Sequence, residues 1–131
     1  MSKEAKSGVR HKNMIVWQMA DKLDKYIQKV ILKKIPRYEY KIRTQIDSAS
    51  DSISANFVEG YYSGSLNEYI RFCKYSRRSI GELHDRVERT LRKEYIAQDE
   101  FNKFEDISIK TGFLFDRLLN SLNNKKEREE K

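Results

Sequence analysis

Apolar residues recur along this chain at helical spacing. From Asn13, a candidate N-cap, Val16, Ala20, Leu23, Ile27 and Val30 follow in steps of 4, 3, 4 and 3, with Met19, Tyr26 and Ile31 widening the stripe. That period buries one face of a helix. Pro36 disfavours helical geometry at the residue before it, so the pattern predicts a first helix ending near Lys34. A second helix is expected from about Arg37 to Tyr61, with Tyr38, Ile42, Ile46, Ala49, Ile53 and Phe57 on one face. Beside them Gln45, Ser48, Ser52, Ala55 and Glu59 form a stripe of mostly small residues that lets a neighbouring helix approach closely. The pattern breaks at GYYSGS, residues 60–65, and Ser65 with Glu68 three positions on predicts a capping box.

The third helix has the clearest period. Leu66, Tyr69, Cys73, Ser76, Ile80, Leu83, Val87 and Thr90 occupy heptad a and d positions, while Arg71, Lys74, Arg78, Asp85, Arg89 and Arg92 lie opposite. After a connection at Glu94 to Gln98, a fourth stripe runs through Phe101, Phe104, Ser108, Thr111, Phe115, Leu118 and Leu122. Four amphipathic helices with short connections predict an all-α fold, an antiparallel up-down-up-down four-helix bundle over residues 13–122. A flexible basic arm, 1–12, precedes it and a polar tail, 123–131, follows. Trp17, Ile70, Phe72, Ile109 and Phe113 lie outside the a/d stripes, a surplus that points to a second apolar surface buried against copies of the same chain.

Length and composition narrow the class. At 131 residues the chain suits one domain and needs no disulfide to hold a core, and its single cysteine cannot form an intramolecular bridge. One Pro and five Gly exclude collagen-like and Pro/Gly-rich disordered classes. No apolar run approaches the roughly 18 residues of a membrane span, and the polar N-terminus lacks a signal peptide's apolar core. A cytoplasmic protein with no membrane partner is expected.

Catalytic chemistry finds little purchase. His84 follows Glu82 at the wrong spacing for a di-metal carboxylate site, and no second copy exists. Cys73 falls on the buried stripe, where a thiol acts as a small hydrophobe. Gly60 and Gly64 lack the strand and the Lys-Ser/Thr of a phosphate loop. No catalytic residue, metal or cofactor is predicted. Asn56 and Glu59 are polar at or beside the buried stripe of the second helix, where an unpaired group costs several kcal/mol. They either bond the backbone near the GYYSGS turn, with Glu59 accepting from amides near Ser65, or belong to a ligand pocket.

Charge changes the picture most. The net charge is +7. By segment, 1–12, 13–35 and 65–94 each carry +3, 123–131 carries +1, and 36–64 and 95–122 carry −1 and −2. Arg71, Lys74, Arg77 and Arg78 form a cationic run on the third helix with no acid between them. With Lys3, Lys6, Arg10 and Lys12 of the arm, they are the candidate nucleic-acid contacts. Arg86, Arg89, Arg92 and Lys93 are interspersed with Glu82, Asp85 and Glu88 and read as a salt-bridged, solvated face.

The stretch from Trp17-Gln18-Met19-Ala20 through Ile35-Pro36-Arg37-Tyr38-Glu39, Gln45-Ile46, SISANFVEG at 52–60, Ser65, Glu68, Phe72 and Glu82-Leu83 resembles the 23S ribosomal RNA intervening-sequence proteins. The resemblance covers about residues 14 to 122. It implies a small bacterial four-helix bundle, often a homopentamer, with no enzymatic activity. Distantly similar proteins serve as accessory factors of diversity-generating retroelements, binding nucleic acid and a reverse transcriptase. Where that family usually has basic and small residues after the helix-two glutamine, often an arginine after Glu-Gly, and often a glycine before Tyr-Ile, this chain has Asp47-Ser48, Ser63 and Glu94. Two functions are therefore expected of this chain. One is a self-associating RNA- or nucleic-acid-binding bundle. The other is a protein-interaction scaffold for a partner such as a reverse transcriptase or ribosome component.

Overall fold

The structure is a computed structural model and describes residues 10–130. These residues form four helices and, among them, no strand. A 3-10 turn, Arg10–Asn13, precedes the first helix, α1, which has three parts: an α-helical segment Ile15–Tyr26, a π-helical segment Ile27–Ile31 and a last α turn Leu32–Lys34. Asn13 does not cap it, because it belongs to the 3-10 turn. Met14 holds the N-cap position and makes no side-chain cap.

The π segment adds one residue to a turn and shifts the buried stripe. Val16, Ala20, Leu23 and Ile27 are buried as their spacing predicts, and the core continues through Ile31, expected only at the stripe's edge, Leu32 and Ile35. Val30 is only partly buried against that core. At its end α1 meets Arg43, whose Nη1 donates to the carbonyl of Ile35 at 2.8 Å and to that of Leu32. Orphan carbonyls of a helix C-terminus thus gain a cation from the next helix.

Helix α2 spans Tyr40–Tyr61, starting three residues after Arg37 because Pro36 to Glu39 form a turn in which Glu39 N donates to Pro36 O. It buries Ile42, Ile46, Ala49, Ser50, Ile53, Phe57 and Gly60. A Cβ on Gly60 would stand 2.8 Å from Phe72 Cβ and 3.2 Å from Tyr69 Cα, so this glycine lets the third helix pack against the end of α2. Between them Ser63 Oγ donates to Gly60 O.

Helix α3, Leu66–Arg92, is capped by Ser65, whose Oγ accepts from Glu68 N at 3.2 Å. Only half of the expected capping box forms. The Glu68 carboxylate turns to Arg71, and Ser65 N donates to Ser63 Oγ instead. Cys73, Ser76, Ile80, Leu83, Val87 and Thr90 are buried as expected. Ile70, read as surplus, is buried too and belongs to the monomer's own core. Helix α4, Gln98–Glu130, continues through the segment expected as a polar tail, and beyond Leu122 no residue to 130 is buried.

α2 and α3 share the most extensive contact, followed by α3 with α4 and α1 with α4. Ser76 Oγ donates to Ile53 O across α2 and α3, Arg77 pairs with Asp116 across α3 and α4, and Tyr26 OH donates to Glu100 O across α1 and α4. This packing is that of a helical bundle. Its centre holds Phe57, Phe104 and Phe115, all fully buried, with the rings of Phe57 and Phe115 edge to face at 6.1 Å. Thr90 Oγ1 donates to Val87 O and Thr111 Oγ1 to Ile107 O, whereas the buried Tyr69 hydroxyl has no partner among the described residues.

Candidate nucleic-acid interface

Helix α3 carries the predicted cluster. Its apolar stripe faces the core, which leaves Arg71, Lys74 and Arg78 exposed on the other side. Tyr75 lies between two guanidiniums, with the Arg71 Cζ 5.6 Å and the Arg78 Cζ 5.5 Å from its ring centre. Arg71 also stands 5.0 Å from the Phe72 ring. These cation–π contacts hold long side chains in place at low entropic cost. The charge pattern of the sequence does not single out Tyr75. Its i+4 spacing from Arg71 and i−3 spacing from Arg78 are the signal that could identify it.

The run is less free of acids than its sequence implied. Arg71 Nε donates to Glu68 Oε2 at 3.1 Å. Arg77 Nε donates to Asp116 Oδ1 at 2.9 Å, and its guanidinium covers Gly112. Arg77 therefore bridges α3 to α4 and is only partly exposed. Asp116 lies 39 residues away, so no pattern along α3 could have shown it. Among the described residues, Lys74 and Arg78 have no carboxylate partner.

Of the arm, Lys3 and Lys6 lie outside the described residues. Arg10 and Lys12 are exposed in the 3-10 turn. Between them His11 is held against the α2–α3 connection: its N donates to Tyr62 OH at 3.3 Å, and its Nδ1 stands 3.0 Å from the same oxygen. Its ring meets Trp17 edge to face at 5.3 Å, and Lys12 Nζ stands 5.7 Å from the Trp17 ring centre. Desolvation and then the Lys12 charge lower the His11 pKa below the usual histidine value. The imidazole is therefore neutral at pH 7.

Asn56 Nδ2 donates to Ser52 O at 2.8 Å, a backbone contact within α2. Glu59 is exposed and does not accept from the start of α3. Ser65 Oγ takes the amide that Glu59 was expected to bond. Burial pushes the Cys73 thiol up to about 12, which keeps it protonated. His84 Nε2 meets Glu105 Oε2 at 2.9 Å and packs its ring against Phe101 and Phe104. Among the described residues no three His, Cys, Asp or Glu gather as metal ligands, and no helix is long and apolar enough to cross a membrane.

Three members of the second cationic cluster are ion-paired, Arg86 with Asp85 at 2.8 Å, Arg92 with Glu88 at 3.4 Å and Lys93 with Glu39 at 2.6 Å, and Arg89 has no carboxylate partner among the described residues. On the α3–α4 side, Ile109 and Phe113 are 64% and 58% exposed beside a groove floored by Gly81 and Gly112.

Comparison with known proteins agrees with this architecture. A crystal structure from Bacteroides thetaiotaomicron, described as a protein with unknown function from the S23 ribosomal protein family, superposes with a TM-score of 0.74. At 20% identity it covers 79% of this chain and 97% of its own, a likeness of fold. No curated protein matches the chain. The model of the family described as 23S rRNA-intervening sequence protein matches residues 12–115, and the chain belongs to that family.

Proposed function

We propose that this chain is a non-enzymatic, cytoplasmic, nucleic-acid-binding bundle that works as an oligomer. The observation that carries this reading is the exposed face of α3, where the guanidiniums of Arg71 and Arg78 flank Tyr75 and Lys74 is exposed without a carboxylate partner among the described residues. Cations on a rigid helix suit a phosphate backbone, and an aromatic ring between guanidiniums suits an unstacked base of RNA. Arg10 and Lys12 add charge from the turn before α1, and Lys3 and Lys6 are further candidate contacts.

The topology is an antiparallel up-down-up-down bundle. Contact pairs support it by running in opposite senses between successive helices: Ser50 with Asp24 and Arg43 with Ile35, Ile53 with Ser76 and Glu39 with Lys93, Arg77 with Asp116 and His84 with Glu105. The assembly is a homopentamer, in line with the family resemblance. Exposed Ile109 and Phe113 beside a groove of about 400 Å³ are the apolar surface such an assembly would bury. The same surface favours a second reading, a scaffold for a different protein such as a reverse transcriptase or a ribosome component.

Binding of a fluorescent single-stranded RNA across a salt series tests the first reading. Changing Arg71, Lys74 and Arg78 to Glu should weaken the salt-dependent part of the affinity and flatten its slope by about 2, near 0.7 for each phosphate no longer neutralised. Arg77→Glu alone should do less, since Asp116 already holds that guanidinium. An unchanged slope in the triple variant would overturn the reading.

A further inference from the structure

A groove between α2 and α3, beyond the Arg71–Arg78 face, gathers four cations from two helices. Lys41 comes from the first turn of α2, and Arg86, Arg89 and Lys93 from the last turns of α3 and its cap. The groove encloses about 280 Å³ over the side chain of Ile42, which is buried beneath it. A second recess of about 290 Å³, lined by Ser48, Ser52 and Glu82, shares Gln45 and Arg86 with the first, so the two adjoin along the helix pair.

The cations are not equally committed. Lys93 is bonded to Glu39, and the same Glu39 oxygen accepts from Tyr95 OH at 2.6 Å. Those two bonds, with the Lys93 and Arg89 charges, hold the Glu39 carboxyl below the usual carboxylate range. The one acid of the first recess is thereby neutralised by its own neighbours, and the adjoining recess holds a second, Glu82. Arg86 gives Nη1 to Asp85, a largely exposed residue outside the groove, and among the described residues its other donors have no carboxylate. Lys41 and Arg89 have no carboxylate partner among the described residues. The groove thus presents an uncompensated Lys, an uncompensated Arg and a half-used Arg to one small space.

We propose that this α2–α3 groove is a phosphate-binding site for a polyphosphorylated ligand. Guanidinium forks match phosphate oxygens in pairs, and a ligand with two or more charged phosphates would engage Arg86, Arg89 and Lys41 together. The amide of Gln45 supplies a neutral donor where the two recesses adjoin. The phosphates come either from a nucleic-acid backbone or from a free polyphosphate-bearing small molecule. Arg71 and Arg89 lie 18 residues apart, five helical turns and about 27 Å, so one strand would be long enough to reach both. The site does not depend on the Arg71–Arg78 reading.

Inorganic tripolyphosphate is the probe, titrated into the full chain at low salt and followed by amide and arginine side-chain NMR. Saturable shifts centred on Gln45, Arg86 and Arg89 are expected. Lys41→Gln with Arg89→Gln, both exposed positions, should weaken binding by about tenfold with an unchanged melting temperature. Arg71→Gln with Arg78→Gln should leave it unchanged. No saturation, shifts spread over every surface cation, or equal weakening by both pairs of changes would overturn the proposal. A single-stranded RNA added to the loaded protein then identifies the source. Displacement of tripolyphosphate assigns the site to a nucleic-acid backbone, and RNA binding without displacement assigns it to free polyphosphates; each supports the groove as a phosphate site. Loss of RNA binding in the Arg71, Lys74 and Arg78 variant is a separate readout, so either proposal can fail alone.

Discussion

At Glu94 the backbone turns through φ 63°, a left-handed conformation that side chains other than glycine's adopt at a cost. The hydrogen bonds around it explain why the turn is made. Tyr95 N donates to Thr90 O at 3.0 Å and Glu94 N to Leu91 O at 2.9 Å, the paired bonds of a Schellman end to α3. Glycine is the usual residue at that place, so Glu94→Gly should raise the unfolding free energy by about 1 kcal/mol, read as a higher urea midpoint. Glu39, which bonds Lys93 and Tyr95 on either side of that turn residue, carries a pH dependence. Its folded pKa lies below the unfolded one, so its contribution to stability is complete above about pH 5 and is lost as the pH falls through the folded value. Glu39→Gln should lower the urea midpoint at neutral pH, and that difference should shrink below about pH 4 as the wild-type carboxyl protonates.

Single elements were legible where period alone decides burial, and illegible where a local irregularity resets it. Along α3 the heptad positions from Cys73 to Thr90 are all buried, because an unbroken α-helix keeps its phase with the core for the whole stripe. Along α1 the same arithmetic puts Val30 on the central stripe and Ile31 at its edge, whereas across the π segment Ile31 is fully buried and Val30 only partly. Ile31→Ala should therefore cost about 3 kcal/mol and Val30→Ala less than about 1, a contrast that denaturant titration of the two variants would read directly. Equal costs would mean that α1 keeps an uninterrupted α period. The candidate site divides in the same way. Exposure of Arg71, Lys74 and Arg78 follows from their places on α3, whereas the diversion of Arg77 to Asp116 requires α4 to lie alongside.

For the whole molecule, +7 is spread unevenly. The arm, α1 and α3 are basic, and the segments containing α2 and α4 are net acidic. Ring assembly would repeat that polarity around an axis and raise local charge without any new contact, which suits a polyanion. Light scattering on the purified chain at micromolar concentration should report five times the 15.7 kDa subunit mass. Phe113→Asp with Ile109→Asp should return it to one subunit, since both side chains are exposed in the monomer and the substitutions leave its core intact. A single-subunit mass for the unmodified chain would remove the pentamer and leave the α3–α4 groove to another protein.

By itself, the sequence determined that the chain is helical, how many helices it makes and which face of each is apolar. These are consequences of spacing and caps, interactions between residues a few positions apart. Tertiary structure decided which charges remain available. Arg43 is spent on the end of α1, Arg77 on α4 and Lys93 on Glu39, while Lys41, Lys74, Arg78 and Arg89 keep no carboxylate among the described residues. An ion pair forms only when two helices bring its members within about 4 Å, and that proximity depends on the packed core rather than on the order of residues in the chain.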